Sequence, residues 1–124
     1  MTKLQELYFT IQGWDGFSVM HDLNEYALGG YAVGGASECF KVKADKLSWN
    51  EFAYTIMPAL REQTRGKGAT KLIGGWVDNY GYAYLELSDI VQNRKEAITM
   101  GWMRDQKAIY DLWNNEEIEI PQDL

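Results

Sequence analysis

Cys39 and His21 are each the single residue of their type among 124, and this limits the catalytic chemistry open to the sequence. A zinc site built from cysteine and histidine needs three or four such ligands at short spacing, which two residues cannot supply. A serine or cysteine nucleophile needs an imidazole base, and only His21 could serve. Asp22 follows His21, but adjacent residues on extended chain point to opposite sides, so the pair reads as a solvated histidine rather than a dyad. The 18 acids leave an all-oxygen magnesium site open, although no pair of them falls in a recognisable metal motif. Asp111, Glu116, Glu117 and Glu119 crowd the last segment. Paired-carboxylate hydrolysis needs two acids facing across a cleft, whereas neighbours on one hairpin face water. The expectation is therefore no catalytic set, no metal and no cofactor. A lone cysteine also means no internal disulfide and points to a reducing, cytoplasmic setting.

Two other groupings bear on binding. Arg65-Gly66-Lys67-Gly68-Ala69-Thr70-Lys71 looks like a phosphate loop but lacks the Gly-x-x-x-x-Gly-Lys-Ser/Thr spacing. It also follows a helical pattern and precedes a strand, whereas an anion is bound where a loop opens a helix. It reads as a basic connection, with Arg65, Lys67 and Lys71 free to touch an anionic group. Charge is distributed unevenly along the chain. Residues 1–40 carry -4, residues 41–71 carry +4 and residues 72–124 carry -6, giving the net -6. Such a balance opposes direct binding to duplex nucleic acid, because that affinity comes from neutralising phosphates. The only net basic stretch could still steer a small anion. The aromatics are the second grouping: 5 Trp, 8 Tyr and 4 Phe. Phe9, Trp49, Phe52, Trp76 and Trp102 fall at inward spacings. Tyr80, Tyr82 and Tyr84 fall on or near the opposite side of a hairpin, where they are either covered core or anchors of an interface.

The elements that position these groups follow from periodicity. Leu7, Phe9 and Ile11 alternate with polar neighbours, as in a half-buried strand. Phe17–Met20, Tyr31–Val33 and Phe40–Ala44 read as further strands. Ser48-Trp49-Asn50-Glu51 matches a capping box opening a helix over 49–65, with Trp49, Phe52, Ala53, Ile56, Met57 and Leu60 on one stripe. Pro58 inside that stripe should cost a hydrogen bond and kink the helix. Leu72–Val77 and Tyr82–Leu87 flank Asp78-Asn79-Tyr80-Gly81 and form a hairpin. If Val77 faces Tyr82, then Leu72 and Trp76 join Ala83, Leu85 and Leu87 on the core side, and Ile73 and Val77 join the tyrosines; a slip by one residue exchanges the faces. Asn93 with Glu96 caps a helix over 94–105, and a last hairpin turns at Asn114-Asn115. The whole is a single α+β domain over 1–124: a mostly antiparallel sheet with two helices packed on one face. No run of about 18 apolar residues is present to span a membrane. No basic stretch leads into an apolar one at the start, so no secretory leader is expected.

Gly74-Gly75-Trp76, Tyr84-Leu85-Glu86-Leu87-Ser88, Asn93-Arg94 with Ala97, and Gln106 through Leu112 together resemble small orphan proteins encoded by phages and other mobile elements. That group has no activity attached to it, and the resemblance implies only context: a small, cytoplasmic accessory protein aimed at host machinery. With the surplus of aromatics and the acidic charge, it leads to the expectation of a non-enzymatic protein that binds and inhibits a host defence protein. The alternative is a homo-oligomeric sponge holding a small nucleotide-like anion between aromatic and basic side chains. A small enzyme acting on such a ligand remains a third class, without a motif. The binding residues expected under either of the first two readings are Tyr80, Tyr82, Tyr84, Arg65, Lys67 and Lys71.

Overall fold

The computed structural model describes residues 1–26, 28–66 and 71–122. Helix α1 (Lys3–Gln12) stands where the alternation of Leu7, Phe9 and Ile11 suggests a strand. Its start is fixed by a capping box: Thr2 Oγ1 accepts the Gln5 amide (3.1 Å) and the Thr2 amide donates to Gln5 Oε1 (2.8 Å). Leu4, Leu7, Tyr8 and Ile11 then form the buried stripe, and Phe9 is left 56% exposed. Tyr8 Oη donates to the Leu47 carbonyl (2.8 Å) and Gln12 Nε2 to that of Ala44 (2.8 Å), tying the helix across the core.

Next come β1 (Phe17–Val19), β2 (Tyr31–Val33) and β3 (Phe40–Lys43), then a 3-10 turn at Ala44–Lys46. Ser48 caps the following helical run as expected, its Oγ accepting the Glu51 amide at 3.0 Å. The run comprises α2 (Trp49–Glu51), a π turn (Phe52–Ile56) and α3 (Met57–Thr64). The wide turn directly precedes Pro58. There the Met57 amide reaches back to Phe52 O, which makes room for a ring that would otherwise strike the preceding turn.

Strands β4 (Lys71–Val77) and β5 (Tyr82–Val91) form the central hairpin, followed by α4 (Arg94–Met103), β6 (Ala108–Asp111) and β7 (Glu116–Glu119). The fold is α+β, with every pairing antiparallel in the order β1-β4-β5-β2-β6-β7. One edge of β5 pairs with β4 along most of its length. The other edge is shared: β3 takes Tyr82–Leu85 and β2 takes Asp89–Val91. Ala83, Leu85 and Leu87 line one side of β5 and close the main core with Ile11, Val19, Phe52, Ile56, Met57, Leu60 and Ile73. A smaller cluster of Val33, Ala97, Ile109 and Ile120 lies under α4, with Val91 packed against it. All helices thus sit on the side of the sheet lined by the odd-numbered residues of β5, and the even-numbered residues face outward.

The hairpin faces differ from one half of the sequence reading. Val77 lies opposite Ala83, and Trp76 opposite Tyr84. Ile73 and Val77 are therefore the core residues of β4, while Leu72 and Trp76 share the tyrosine side. Leu72 is fully buried there and Trp76 is 48% exposed. Loop length is the reason. The Asp78 amide donates to Tyr82 O (3.0 Å), so the loop holds three residues rather than four, which shifts β4 by one position against β5. Trp102 is also outward on α4, whose buried positions are Ala97 and Gly101.

Candidate functional site

The hairpin loop is built around one carboxylate and one glycine. Asp78 Oδ1 accepts the amides of Tyr80 (2.9 Å) and Tyr82 (3.0 Å), and Oδ2 accepts the Tyr84 hydroxyl (2.9 Å). Burial alone would raise the Asp78 pKa, but these donors and Lys41 outweigh it and hold the carboxyl below its usual range. Gly81 closes the loop at φ +85°, where a side chain is strained. The Trp14 indole lies directly over it, so that a Cβ at Gly81 would stand 2.8 Å from the ring.

The register then sets three side chains in a row across the outer face. Trp76 of β4 is opposite Tyr84 of β5, which is opposite Lys41 of β3. The two rings stack at 4.2 Å with 9° between their planes. Lys41 Nζ lies 5.4 Å from the Tyr84 centroid and 4.8 Å from that of Tyr82, and Lys43 Nζ lies 5.5 Å from Tyr82. The Tyr84 hydroxyl, and to a lesser degree Asp78, raise the pKa of Lys41 and keep it charged. Tyr80 is 82% exposed at the tip and Trp14 is 56% exposed beside it. Flat aromatic surface and ammonium groups are thus held together on a paired sheet, in an arrangement suited to a ligand or partner offering apolar contact beside an anionic group.

Of the six residues expected to bind, the structure brings together Tyr80, Tyr82 and Tyr84. The basic residues stand elsewhere. Lys71 begins β4 at the far end from the loop, opposite Asp89 and on the helix side, and its ammonium pairs with the Asp89 carboxylate. Arg65 follows α3 and pairs with Glu62 at 3.0 Å. Lys67 lies outside the described residues. The cations beside the tyrosines are Lys41 and Lys43. Their signal was the alternation Phe40-Lys41-Val42-Lys43, which puts both lysines on one side of a strand, and sequence gave no way of pairing that strand with β5. Nor do N-terminal strands cover the tyrosines, since α1 packs on the other side and β1 joins the edge of β4.

The remaining reactive groups are held in structural roles. Cys39 is an exposed residue, but partial desolvation of its thiol, and then the charge of Glu86, push it up to about 11, far from a nucleophile's range. His21 does not face Asp22: its Nδ1 sits 3.0 Å from Arg61 O and 2.8 Å from Thr64 Oγ1, while Asp22 caps Asn24. Thr64 Oγ1 also donates to Arg61 O, so the imidazole is tied to the end of α3. Asp111 accepts the amides of Trp113 and Asn114 and shapes the last turn, with Glu116, Glu117 and Glu119 exposed around it. Among the described residues no three His, Cys, Asp or Glu side chains gather to hold a metal ion. Among the described residues no helix is long and apolar enough to cross a membrane. No protein-family model, curated protein or solved structure matches the chain.

Proposed function

We propose that this protein works by binding, and that it engages and inhibits a host protein in one-to-one fashion through the outer face of the β4–β5 hairpin. The observation that carries this reading is the cluster of exposed Trp76 and Tyr80 with half-buried Tyr82 and Tyr84, and with Lys41 and Lys43 among them. Tyrosine and tryptophan give large contact area at small cost in side-chain freedom and dominate binding hot spots. The lysines restrict the partner to one with an acidic rim. The resemblance to phage-encoded orphans supplies the context of a host target such as a defence factor. The test is co-purification from host cells followed by reconstitution with the captured protein. Trp76→Ala with Tyr80→Ala should weaken that complex at least tenfold while leaving the circular dichroism unchanged. An unaltered complex would overturn the assignment of this face.

The row of Trp76, Tyr84 and Lys41 favours one second reading, a small nucleotide-like anion whose base lies against the rings. Nucleotides would then raise the melting temperature of the wild type through linkage and leave Trp76→Ala unmoved. No shift with any nucleotide would discard it.

A further inference from the structure

The sheet ends in three strand edges, and they are treated differently. The outer edge of β1 is sealed by its own chain, because the Tyr26 amide donates to Ser18 O and Val19 bridges Glu25. The outer edges of β3 and β7 pair with nothing among the described residues. Which of their main-chain groups point outward follows from the ladder. The Ala44 amide donates to Gly81 O (2.8 Å), so the backbone-bonded positions of β3 continue at Val42 and Phe40, two residues apart. The main-chain groups of Lys41 and Lys43 therefore face the open edge. On β7 the Ile120 amide donates to Lys107 O (2.9 Å), so Ile118 and Glu116 bond inward and those of Glu117 and Glu119 face out. One open edge thus presents two lysines and the other two glutamates, at the same spacing.

Their side chains also share a face. Lys41 is level with Tyr84, and Glu117 is level with Tyr110, which is level with Ala32 and Ile90. All of these lie on the outer side of the sheet. Strands β6 and β7 extend from β2 alone and descend, at Lys107 and Ile120, only to the level of Leu87. Beside β3, which pairs with Tyr82–Leu85, no further strand lies among the described residues, and the β2–β3 connection is held to β5 just above it, the Ala36 amide donating to Leu87 O (3.2 Å) and the Leu87 amide to Ser37 Oγ (2.9 Å). A two-fold axis normal to the sheet carries the β6–β7 arm of one copy beside β3 of the other. Both copies then keep the same face outward, and every strand remains antiparallel to its neighbour. In the register that brings Lys41 opposite Glu119 and Lys43 opposite Glu117, β3 of one copy and β7 of the other run antiparallel with their outward main-chain groups facing.

We propose that two copies of this chain form a closed, two-fold dimer in which β3 of each pairs with β7 of the other. Its specificity comes from Lys41 and Lys43 on one copy facing Glu119 and Glu117 on its partner. The dimer joins the two outer faces into one surface, and Lys41 and Lys43, whose ammoniums lie over the Tyr82 and Tyr84 rings, belong both to this contact and to the face proposed to bind a partner. Charged residues at exposed edges are also a common device for keeping edges apart. That role asks only for charge, whereas here opposite signs are matched in position, face and outward main chain.

Sedimentation equilibrium on the full chain tests this. The wild type should be dimeric. Lys41→Glu with Lys43→Glu should weaken self-association at least tenfold, as should Glu117→Lys with Glu119→Lys, since each then opposes like charges at both contacts. Mixing the two variants should restore a dimer, because each contact again joins opposite charges. That recovery also shows that both variants are folded. A monomeric wild type, a dimer indifferent to both reversals, or a mixture that stays monomeric would each overturn the proposal.

Discussion

Replacing Gly81 with alanine tests the hairpin at the point on which the exposed aromatic cluster is built. Gly81 has φ +85°, and an L residue in the left-handed region costs roughly 1–2 kcal/mol. Alanine also narrows the unfolded ensemble, which returns about 0.4–1 kcal/mol, so the net backbone loss is about 1 kcal/mol. The added methyl would lie 2.8 Å from Cζ2 and 3.2 Å from Cη2 of Trp14. That indole is exposed and can swing outward, so the contact adds little energy but displaces the ring. The expected outcome is a melting temperature lower by roughly 3–6 °C, with an altered tryptophan emission spectrum. Thermal unfolding followed by circular dichroism and fluorescence reads both. Gly81→Asn separates the causes, because asparagine tolerates this backbone while still carrying a Cβ. If backbone strain dominates, Asn will be milder than Ala; if the indole contact dominates, the two will match. An alanine variant as stable as the wild type would refute the reasoning about this turn.

Other expectations rest on separate features. Burial alone would raise the pKa of Asp89, but Lys71 and Arg104 (2.6 Å) reverse this and hold it low. Its contribution to stability is thus present above about pH 4, the unfolded value, and is lost as pH falls through the lower folded value. In acid titrations of stability, Asp89→Asn should be less stable at pH 7 and lose less between pH 4 and pH 2; an unchanged slope counts against the pairing. With its pKa near 11, Cys39 should react with iodoacetamide at pH 8 far more slowly than a free thiol, and Glu86→Gln should speed the reaction by removing a nearby charge. Equal rates for native and unfolded protein would contradict this. Ser48→Ala should cost about 1 kcal/mol in chemical denaturation through loss of the cap on the Glu51 amide, and a neutral result would remove Ser48 from that role.

What could be read from the sequence depended on how local the signal was. Ser48 and Asn93 are recognisable as caps because their partners lie three residues on, and both bonds form. The inward side of β5 was legible because Ala83, Leu85 and Leu87 alternate with polar or amphipathic neighbours. The first helix was misread because Leu7 and Ile11, four apart, fit either period. The discriminating evidence was Thr2 with Gln5, together with Leu4 and Tyr8, which complete a helical stripe that no strand would share. The face of β4 turned on a single residue of loop length, and Asp78-Asn79-Tyr80-Gly81 does not state whether Asp78 belongs to strand or turn. The candidate site was half legible for the same reason. Tyr82 and Tyr84 are placed by the period of their own strand, whereas Lys41 and Lys43 reach them through a pairing that spans about forty residues.

The wide turn ahead of Pro58 carries a consequence for lineage as much as for shape. A π turn amounts to one extra residue accommodated within a helix, and each residue rotates the chain by about 100°. The extra residue is taken up inside the turn, so the segments on either side keep one face toward the core, with Phe52 and Ile56 beside Met57 and Leu60. Removing one residue at Tyr54 or Thr55 would restore an ordinary ladder with Phe52 still inward, but would press the Pro58 ring against the preceding turn. The proline thus depends on the extra residue beside it. Descendants of this chain can lose the proline and keep the turn, but can lose the turn only together with the proline.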